Sequence, residues 1–270
     1  MLYAFCGDTH GNLDLMFSQV AQWEERTKFS IAYLIQVGDF GIWPNSASVD
    51  KMTAKHASKD GLEEGGDFQA YLTGRKKAPR PVFFIRGNHE SQGFLAAHEF
   101  IMKETYPEDY QCRMIQICPG FFYIPDGHVV TIGTQVFAGW GGNFSQKTWD
   151  EGIKYRSSQM VGRKANHMTK DVYERLAALK PGSVDVFLTH DAPVGSGVVG
   201  ATTIKLPKDE MTGQGNTPTR SLIEILQPKY HFNGHWHQYR KNQFGATTSF
   251  VLDKLAPSNL DSHFMEVVEL

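Results

Sequence analysis

The sequence predicts an α/β fold in which two mixed β-sheets form a sandwich flanked by helices. Three observations predict it: short apolar strands that end in polar loops, helical segments between the early strands, and a strand–turn–strand region in the middle of the chain. The chain has 270 residues, of which 41% are hydrophobic and 21% are charged. This composition is that of an ordinary globular protein, and one domain over residues 1–270 is the simplest expectation.

Five predicted strands share one pattern, in which a short apolar run stops abruptly at a polar cluster. The strands and their clusters are 2–6 before 7–12, 31–37 before 38–39, 81–85 before 86–90, 184–188 before 189–191, and 230–232 before 233–237. In α/β proteins, ligands gather beyond the carboxyl ends of the strands. These clusters are therefore predicted to form the functional loops, at the edge where the strands end.

Three segments have the spacing of helices. In residues 13–26, Leu13, Phe17 and Val20 fall on one face at helical spacing. Residues 168–179, which end before Pro181-Gly182, and residues 219–226 are the other two predicted helices.

The middle and the later part of the chain lack this alternation. Residues 120–139 contain turn sequences at 125–127 and 133–134, which predicts a strand–turn–strand unit and a second sheet packed on the first. Residues 195–218 are rich in glycine and threonine, and we expect a long mobile loop there.

Charge and cysteine content exclude several classes of protein. The net charge of −2 gives no general attraction for nucleic acid, so a polyanion would need a local patch or metal ions. Residues 1–6 lack the features of a signal peptide, and no apolar run approaches the about 20 residues that span a bilayer. The three cysteines contain no Cys-x-x-Cys pair, which disfavours a disulfide framework and a thiolate zinc site. A cytoplasmic protein with no membrane contact is expected, and the sequence leaves the oligomeric state open.

Histidine, aspartate and asparagine side chains concentrate at the predicted strand ends. They are Asp8, His10, Asp39, Asn88, His89, His190, His235 and His237. A binuclear hydrolytic site needs a bridging carboxylate, neutral imidazoles and further oxygen ligands, and these residue types meet that need. Asp8 and His10 could turn toward one ion, His235 and His237 could reach both ions, and Asp39 would be the bridge. Each cluster alone also occurs as an ordinary turn, so the prediction depends on their combination.

The ordered motifs Asp-x-His, Gly-Asp, Gly-Asn-His-Glu, a lone His and Gly-His-x-His, from residue 7 to residue 237, resemble those of the calcineurin-like metallophosphoesterases. The resemblance implies a metallophosphoesterase fold and two sets of metal ligands. One set is Asp8, His10, Asp39 and His237, and the other is Asp39, Asn88, His190 and His235. It also implies that His89 binds no metal, and instead protonates the leaving oxygen or stabilises the charged transition state.

Within this superfamily the chain is most similar to the RNA lariat debranching enzymes. The likeness involves Asp67-Phe68 with Tyr71, residues 74–79, residues 227–230 and residues 139–149. Two positions differ, because that family usually has Cys at the position of Asp8 and Gly at the position of Arg86. An oxygen ligand at Asp8 suits harder ions, so Mn²⁺ is the first choice, with Fe²⁺ and Zn²⁺ as alternatives.

Arg86 gives the sequence Arg-Gly-Asn-His-Glu, which resembles the motif of Ser/Thr protein phosphatases. In those enzymes the arginine grips phosphate oxygens. A guanidinium fork suits a phosphate dianion or a diester equally, so Arg86 does not separate the diesterase and monoesterase hypotheses at the level of sequence. A catalytic Arg86 is expected beside His89 and Asp39. The alternative is that Arg86 forms a surface ion pair with no part in the chemistry.

A basic and aromatic stretch follows the middle strands. It contains Lys147, Trp149, Lys154, Tyr155, Arg156, Arg163, Lys164, Lys170 and Tyr173. This combination of cations and rings could hold single-stranded nucleic acid through phosphate pairing and base stacking. A solvated helical face with half-buried rings is the alternative interpretation.

Together these features predict a phosphoesterase that uses two divalent metal ions. Hydrolysis of a phosphodiester in RNA or a nucleotide, as in debranching enzymes, is the first hypothesis. Phosphomonoester hydrolysis is the alternative, of the Ser/Thr protein phosphatase or dinucleoside polyphosphate hydrolase type. A metal-binding module without catalysis is the third hypothesis, which the complete ligand set and His89 disfavour. Water activated by the two ions would attack phosphorus in line.

Overall fold

The computed structural model of the chain describes residues 1–49, 53, 65–151, 163–200 and 214–270. Two six-stranded sheets form its framework. The chain passes from the first sheet to the second after residue 123 and returns with its last strand.

The first sheet consists of β1 (Leu2–Cys6), β2 (Tyr33–Gln36), β3 (Val82–Phe84), β4 (Ile115–Cys118), β5 (Phe121–Tyr123) and β12 (Met265–Glu269). Its spatial order is β12-β1-β2-β3-β5-β4. The four inner strands run parallel, and β12 and β4 pair with them antiparallel at the two edges.

The second sheet consists of β6 (Val129–Ile132), β7 (Gln135–Trp140), β8 (Val186–Thr189), β9 (Tyr230–Asn233), β10 (Arg240–Phe244) and β11 (Thr247–Val251). Its order is β10-β11-β9-β8-β7-β6, again with four parallel inner strands and antiparallel edges. The sheets are therefore mixed in the same way.

Aromatic side chains fill the space between the sheets. In β1, Tyr3 and Phe5 face this inner core, whereas Ala4 and Cys6 face the helices, as the two-residue period of a strand requires. The ring of Phe5 stacks on Phe232 of β9, with centroids 3.6 Å apart and planes 5° from parallel. This contact fixes the distance between the two central strands whose carboxyl ends carry site residues.

Six described α-helices accompany the sheets: α1 (Leu13–Thr27), α2 (Phe68–Leu72), α3 (Gln92–Thr105), α4 (Gln146–Asp150), α5 (Lys170–Ala177) and α6 (Thr217–Leu226). Helix α1 buries Leu13 and Phe17 in the core on the outer face of the first sheet. Leu176 of α5 and Leu222 of α6 cover the outer face of the second sheet. The predicted helix-flanked sandwich is therefore confirmed. In the described part of the chain, no helix combines the length and the apolar character needed to cross a bilayer.

Strands from the middle of the chain, residues 120–139, belong to both sheets. The predicted strand–turn–strand region supplies β5 to the first sheet and only β6 and β7 to the second. The prediction that residues 120–139 form part of a second sheet is thus correct for the later two strands. The turn at 125–127 is the crossing point, and Gly127 has the positive φ of 75° that favours glycine.

The predicted loop at 195–218 is described only in part. Its residues 201–213 lie outside the described part of the chain, and its last two residues begin α6. Asn216 caps this helix, because its side chain accepts a hydrogen bond of 2.8 Å from the backbone N–H of Thr219, and proline occupies the first turn.

Candidate metal centre

The candidate centre lies where strands of both sheets end. Asp8 follows β1, Asp39 follows β2 and Asn88 follows β3 in the first sheet. His190 follows β8 and His235 follows β9 in the second sheet. The packing of the two sheets brings these five loops to one edge of the sandwich.

Asp8, His10 and His237 form one group whose potential ligand atoms lie within 4.8 Å of one another. The Nε2 atom of His237 is 3.0 Å from Oδ2 of Asp8 and 3.2 Å from Nε2 of His10. Asp8 is buried, His10 is partly buried and His237 is exposed. The group is therefore open to solvent on one side.

Asp39, His190 and His235 form the second group, with the same spacing of ligand atoms. The Oδ1 atom of Asn88 joins it, at 3.0 Å from Nε2 of His190. The Nδ1 atom of His190 is 3.0 Å from the carbonyl oxygen of Val37, a contact that orients the imidazole so that Nε2 faces the group.

Asp39 lies between the two groups. Its Oδ2 atom is 3.4 Å from Nε2 of His190 and 3.9 Å from Nε2 of His10. Its Oδ1 atom accepts a hydrogen bond of 2.8 Å from the backbone N–H of His89. One oxygen of Asp39 is thus held in place while the other faces both groups.

These separations fit divalent cations. Nitrogen and oxygen ligands lie about 2.0–2.2 Å from a metal such as zinc, so neighbouring ligands around one ion are about 3–3.5 Å apart. The closest contacts in both groups fall in this range. Carboxylate, amide and imidazole donors are also the types that Mn²⁺, Fe²⁺ and Zn²⁺ accept.

Four residues of the centre have left-handed backbone conformations. Their φ angles are 44° at His10, 52° at Asp39, 67° at His235 and 51° at His237. Such conformations cost free energy in residues other than glycine, and they persist where surrounding contacts hold them. The sharp turns direct successive side chains toward the same place.

Two glycines let backbone approach the buried carboxylates. A Cβ atom at Gly87 would lie 2.0 Å from Oδ1 of Asp39, and one at Gly234 would lie 2.0 Å from Oδ1 of Asp8. The chain following Gly234 then donates the backbone N–H of His235 to Asp8, at 3.0 Å. Any side chain at either glycine would displace a carboxylate of the centre.

Electrostatic coupling sets the ionisation of the centre. Burial disfavours charge on Asp8, but the hydrogen bond from His237 and the charge of His190 bring the pKa of this carboxyl below its ordinary value. Burial also lowers the pKa of His190, but the Asp39 and Asp8 carboxylates outweigh burial and raise it to about 10. A bound cation would therefore displace a proton from His190. Burial lowers the pKa of His10 to about 4, which keeps this imidazole neutral and able to ligate near pH 7.

His89 lies beside the ligand groups. Its ring centroid is 5.8 Å from that of His10, and its Nδ1 atom is 3.2 Å from Oγ1 of Thr53. The indole N–H of Trp43 donates to the His89 carbonyl oxygen at 2.7 Å, and the His89 N–H donates to Asp39. The backbone of His89 is therefore anchored on both sides.

Arg86 is buried, with no exposed side-chain surface. Its guanidinium forms an ion pair of 2.7 Å with Asp126 and donates to the carbonyl oxygens of Asn166 and His167. The ion pair expected for Arg86 in the non-catalytic interpretation thus exists, but at a buried position. These contacts hold the segment at 165–167 against β3 and favour a structural role for Arg86.

Sequence reasoning missed two acidic residues next to predicted ones. Glu90 follows His89 and accepts a hydrogen bond of 2.7 Å from the backbone N–H of Phe40. Burial and the neighbouring Asp39 raise the pKa of Glu90 to about 8. Asp191 follows His190, is 5% exposed and accepts a hydrogen bond from the indole of Trp236. The sequence feature that could have indicated Glu90 and Asp191 is their position, because each directly follows a predicted site residue.

The basic and aromatic stretch is only partly described, because residues 154–156 and the side chains of 163 and 164 lie outside the description. Trp149 packs edge to face with Tyr173, with ring centroids 5.6 Å apart, and the Lys170 ammonium lies 6.0 Å from the Trp149 ring. These rings and Phe144 line a cavity of about 440 Å³. Of the aromatic residues in the stretch, the two that the structure describes, Trp149 and Tyr173, are half-buried and pack at the rim of a cavity.

A family model described as calcineurin-like phosphoesterase matches residues 1–239. The chain therefore belongs to this family, as its motifs predicted. It is similar to curated proteins named lariat debranching enzyme. Identity is 25% to the Arabidopsis thaliana protein, over all of this chain and 63% of the relative, and 28% to the Mus musculus protein, over all of this chain and 49% of the relative. The chain thus spans about half to two thirds of the length of these relatives.

Among solved structures, the chain is similar to the protein TT1561 of Thermus thermophilus. The TM-score is 0.51 at 14% identity, with 99% of this chain and 98% of that chain covered. At this identity the likeness shows the fold alone.

Proposed function

We propose that the chain is a phosphodiesterase that acts on RNA or a nucleotide with two divalent metal ions, Mn²⁺ being the first candidate. The observation that carries this proposal is the position of Asp39, whose Oδ2 atom faces imidazoles of both ligand groups. The similarity to lariat debranching enzymes supports a diester as the substrate.

The residues of the centre would divide the work between the two ions. Asp8, His10 and His237 would hold one ion, Asn88, His190 and His235 the other, and Asp39 would contact both. Bound cations supply charge that lowers the pKa of water and neutralises phosphate oxygens. The role of the protein would be to hold these ligand atoms in place for the two ions, so that their charge could act on the same phosphate.

His89 would act on the leaving group. Its backbone is fixed by Asp39 and Trp43, and its ring lies next to His10, at the partly exposed side of the centre. An imidazole at this place can donate a proton to the oxygen that departs from phosphorus. In this role His89 would not be a metal ligand, and the neighbouring residues would bind the ions.

The position of Arg86 argues for a diester over a monoester. A catalytic Arg86 would hold the phosphate in either hypothesis, but here its guanidinium is paired with Asp126 and with backbone carbonyl oxygens. A diester carries one negative charge less than a monoester dianion and depends less on such a cation. The buried ion pair therefore favours the diesterase.

The test compares three substrates with Mn²⁺ present: bis(p-nitrophenyl) phosphate, p-nitrophenyl phosphate and a branched RNA with a 2′,5′ linkage. Turnover of both the diester and the branched RNA is the expected result, and His89→Ala should lose turnover of the branched RNA, whose sugar hydroxyl needs a proton to leave. Turnover of the monoester alone would replace the proposal with a monoesterase. Two bound ions with no turnover of any substrate would indicate a metal-binding module.

A single domain over residues 1–270 and a cytoplasmic location complete the proposal. Limited proteolysis tests the first, because a single domain should yield no pair of stable fragments. Microscopy of a tagged chain tests the second.

A further inference from the structure

Asp191 links three separate segments of the chain near the metal centre. Its Oδ1 atom accepts a hydrogen bond of 2.8 Å from the indole N–H of Trp236, and its Oδ2 atom accepts one of 2.9 Å from the backbone N–H of Phe144. Both oxygens of this buried carboxylate are thus engaged, although Asp191 itself is in neither group of ligand atoms.

Trp236 stands between two residues that belong to different ligand groups. His235 is in the group of Asp39 and His190, and His237 is in the group of Asp8 and His10. Both histidines have left-handed backbone conformations, so their loop needs contacts that hold it in this shape. The Trp236 side chain packs against Ala192, Val198 and Val251, and the bond to Asp191 fixes its orientation.

We propose that Asp191 is a positioning residue that holds the His235–His237 loop through the Trp236 indole and so sets the geometry of both metal sites. This inference rests on the proposed binding of two ions. Since Asp191 directly follows His190, this side-chain hydrogen bond ties the ligand-bearing loop after β8 to the ligand-bearing loop after β9. The backbone N–H of Gly234 also donates to the His190 carbonyl oxygen, at 3.1 Å, but this bond lies before the His235–His237 segment. Loss of the bond between Asp191 and Trp236 would let His235 and His237 move without removing any ligand.

The test measures binding of Mn²⁺ alone, by dialysis and elemental measurement. Trp236→Phe keeps an aromatic ring against the same neighbours but removes the donor, and we expect a loss of Mn²⁺ affinity of about 10- to 100-fold. Asp191→Asn keeps a carbonyl oxygen for the indole and should retain more affinity than Asp191→Ala. The double variant Asp191→Ala with Trp236→Phe should bind no more weakly than the weaker single variant, because both changes remove the same bond.

Controls separate positioning from general destabilisation. Ile223→Val trims a buried side chain of α6 and should leave Mn²⁺ affinity unchanged, and so should Trp23→Phe on α1. If Asp191→Ala does not fold, Trp236→Phe decides the question, once circular dichroism shows that it is folded. Parent-like affinity in folded Trp236→Phe would overturn the inference. If the parent binds two ions but hydrolyses no diester, the proposed activity fails while the affinity comparison still tests the positioning role.

Discussion

The Nε2 atom of His190, which follows a strand of the second sheet, lies 3.4 Å from Oδ2 of Asp39, which follows a strand of the first. The candidate centre therefore depends on how the two sheets pack. The stacked rings of Phe5 and Phe232 hold this packing a few residues away, on the neighbouring central strands of each sheet. The geometry of the candidate centre therefore depends on the packing of both sheets and not on any one loop.

Asp39→Asn should reduce metal binding at both sites. An amide oxygen is a weaker ligand than a carboxylate, and it cannot compensate the charge of two cations. Loss of an outer-shell partner of a metal site typically costs about 10- to 100-fold in affinity or activity. Asp39 would be a direct ligand, so we expect activity to fall by at least about 100-fold, with fewer than two ions bound per chain. Elemental measurement after dialysis against Mn²⁺ checks this, and Asp150→Asn on the exposed side of α4 is the matched control. Full occupancy of both sites in Asp39→Asn would contradict the bridging role.

His89→Ala should slow turnover and leave metal content unchanged. Loss of a positioned general acid typically costs about 10²- to 10⁴-fold in rate. The loss should be smaller for a p-nitrophenol leaving group, which departs without a proton, than for the sugar hydroxyl of an RNA substrate. A rate loss equal for both leaving groups would argue against protonation by His89.

Arg86→Met should destabilise the fold. The change leaves Asp126, whose side chain is 10% exposed, without its buried partner. Breaking a buried pair in this way costs about 3–5 kcal/mol of unfolding free energy. Denaturant unfolding measures the loss, and the KM of any variant that remains folded should stay close to that of the parent.

The complementary change, Asp126→Asn, separates the two interpretations of Arg86. It should also lower the free energy of unfolding, because the guanidinium loses its charge partner while keeping its backbone acceptors. If Arg86 gripped substrate phosphate instead, Arg86→Met would raise KM at unchanged stability. That outcome would support the catalytic role of Arg86 that is expected from the sequence.

His128 should make stability depend on pH. Burial lowers the pKa of this imidazole from its ordinary value of 6.5 to about 4, and its Nδ1 atom is 2.8 Å from the Arg113 carbonyl oxygen. The unfolded chain therefore binds a proton at a higher pH than the folded chain. The contribution of His128 to stability is present above pH 6.5 and is lost as pH falls toward about 4, at about 1.4 kcal/mol per pH unit.

His128→Asn keeps a hydrogen-bond donor at the same place without a titrating group. The unfolding free energy of this variant should fall less steeply than that of the parent between about pH 6 and pH 4.5. Parallel curves for the two proteins would show that His128 does not contribute. Both measurements should include a chelator, so that metal binding adds no pH dependence.

Much of the fold follows from local sequence because strand ends are marked by glycine and polar residues. The predicted helix at 13–26 and the helix observed at Leu13–Thr27 differ by one residue. Helix α3 was not predicted. It exposes Phe100 and Ile101, so its apolar residues do not fall on one face. Such a helix is hard to recognise from hydrophobic spacing.

For the candidate site as well, local sequence predicts some features, and others depend on residues far apart in the chain. The spacing of Asp8 with His10 and of His235 with His237 is visible in the sequence, and the fold brings the pairs together. The partners of Arg86 were not predictable, because Asp126 and the carbonyl oxygens at 165–167 are 40 to 81 residues away. Local sequence indicates which groups are available, and tertiary packing decides which of them are already paired.

The most direct test of this account is a crystal structure of the protein grown with Mn²⁺, with an anomalous difference map. The account predicts two peaks a few ångströms apart: one at Asp8, His10 and His237, the other at Asn88, His190 and His235, with Asp39 touching both. A single peak, or manganese bound away from Asp39, would contradict it.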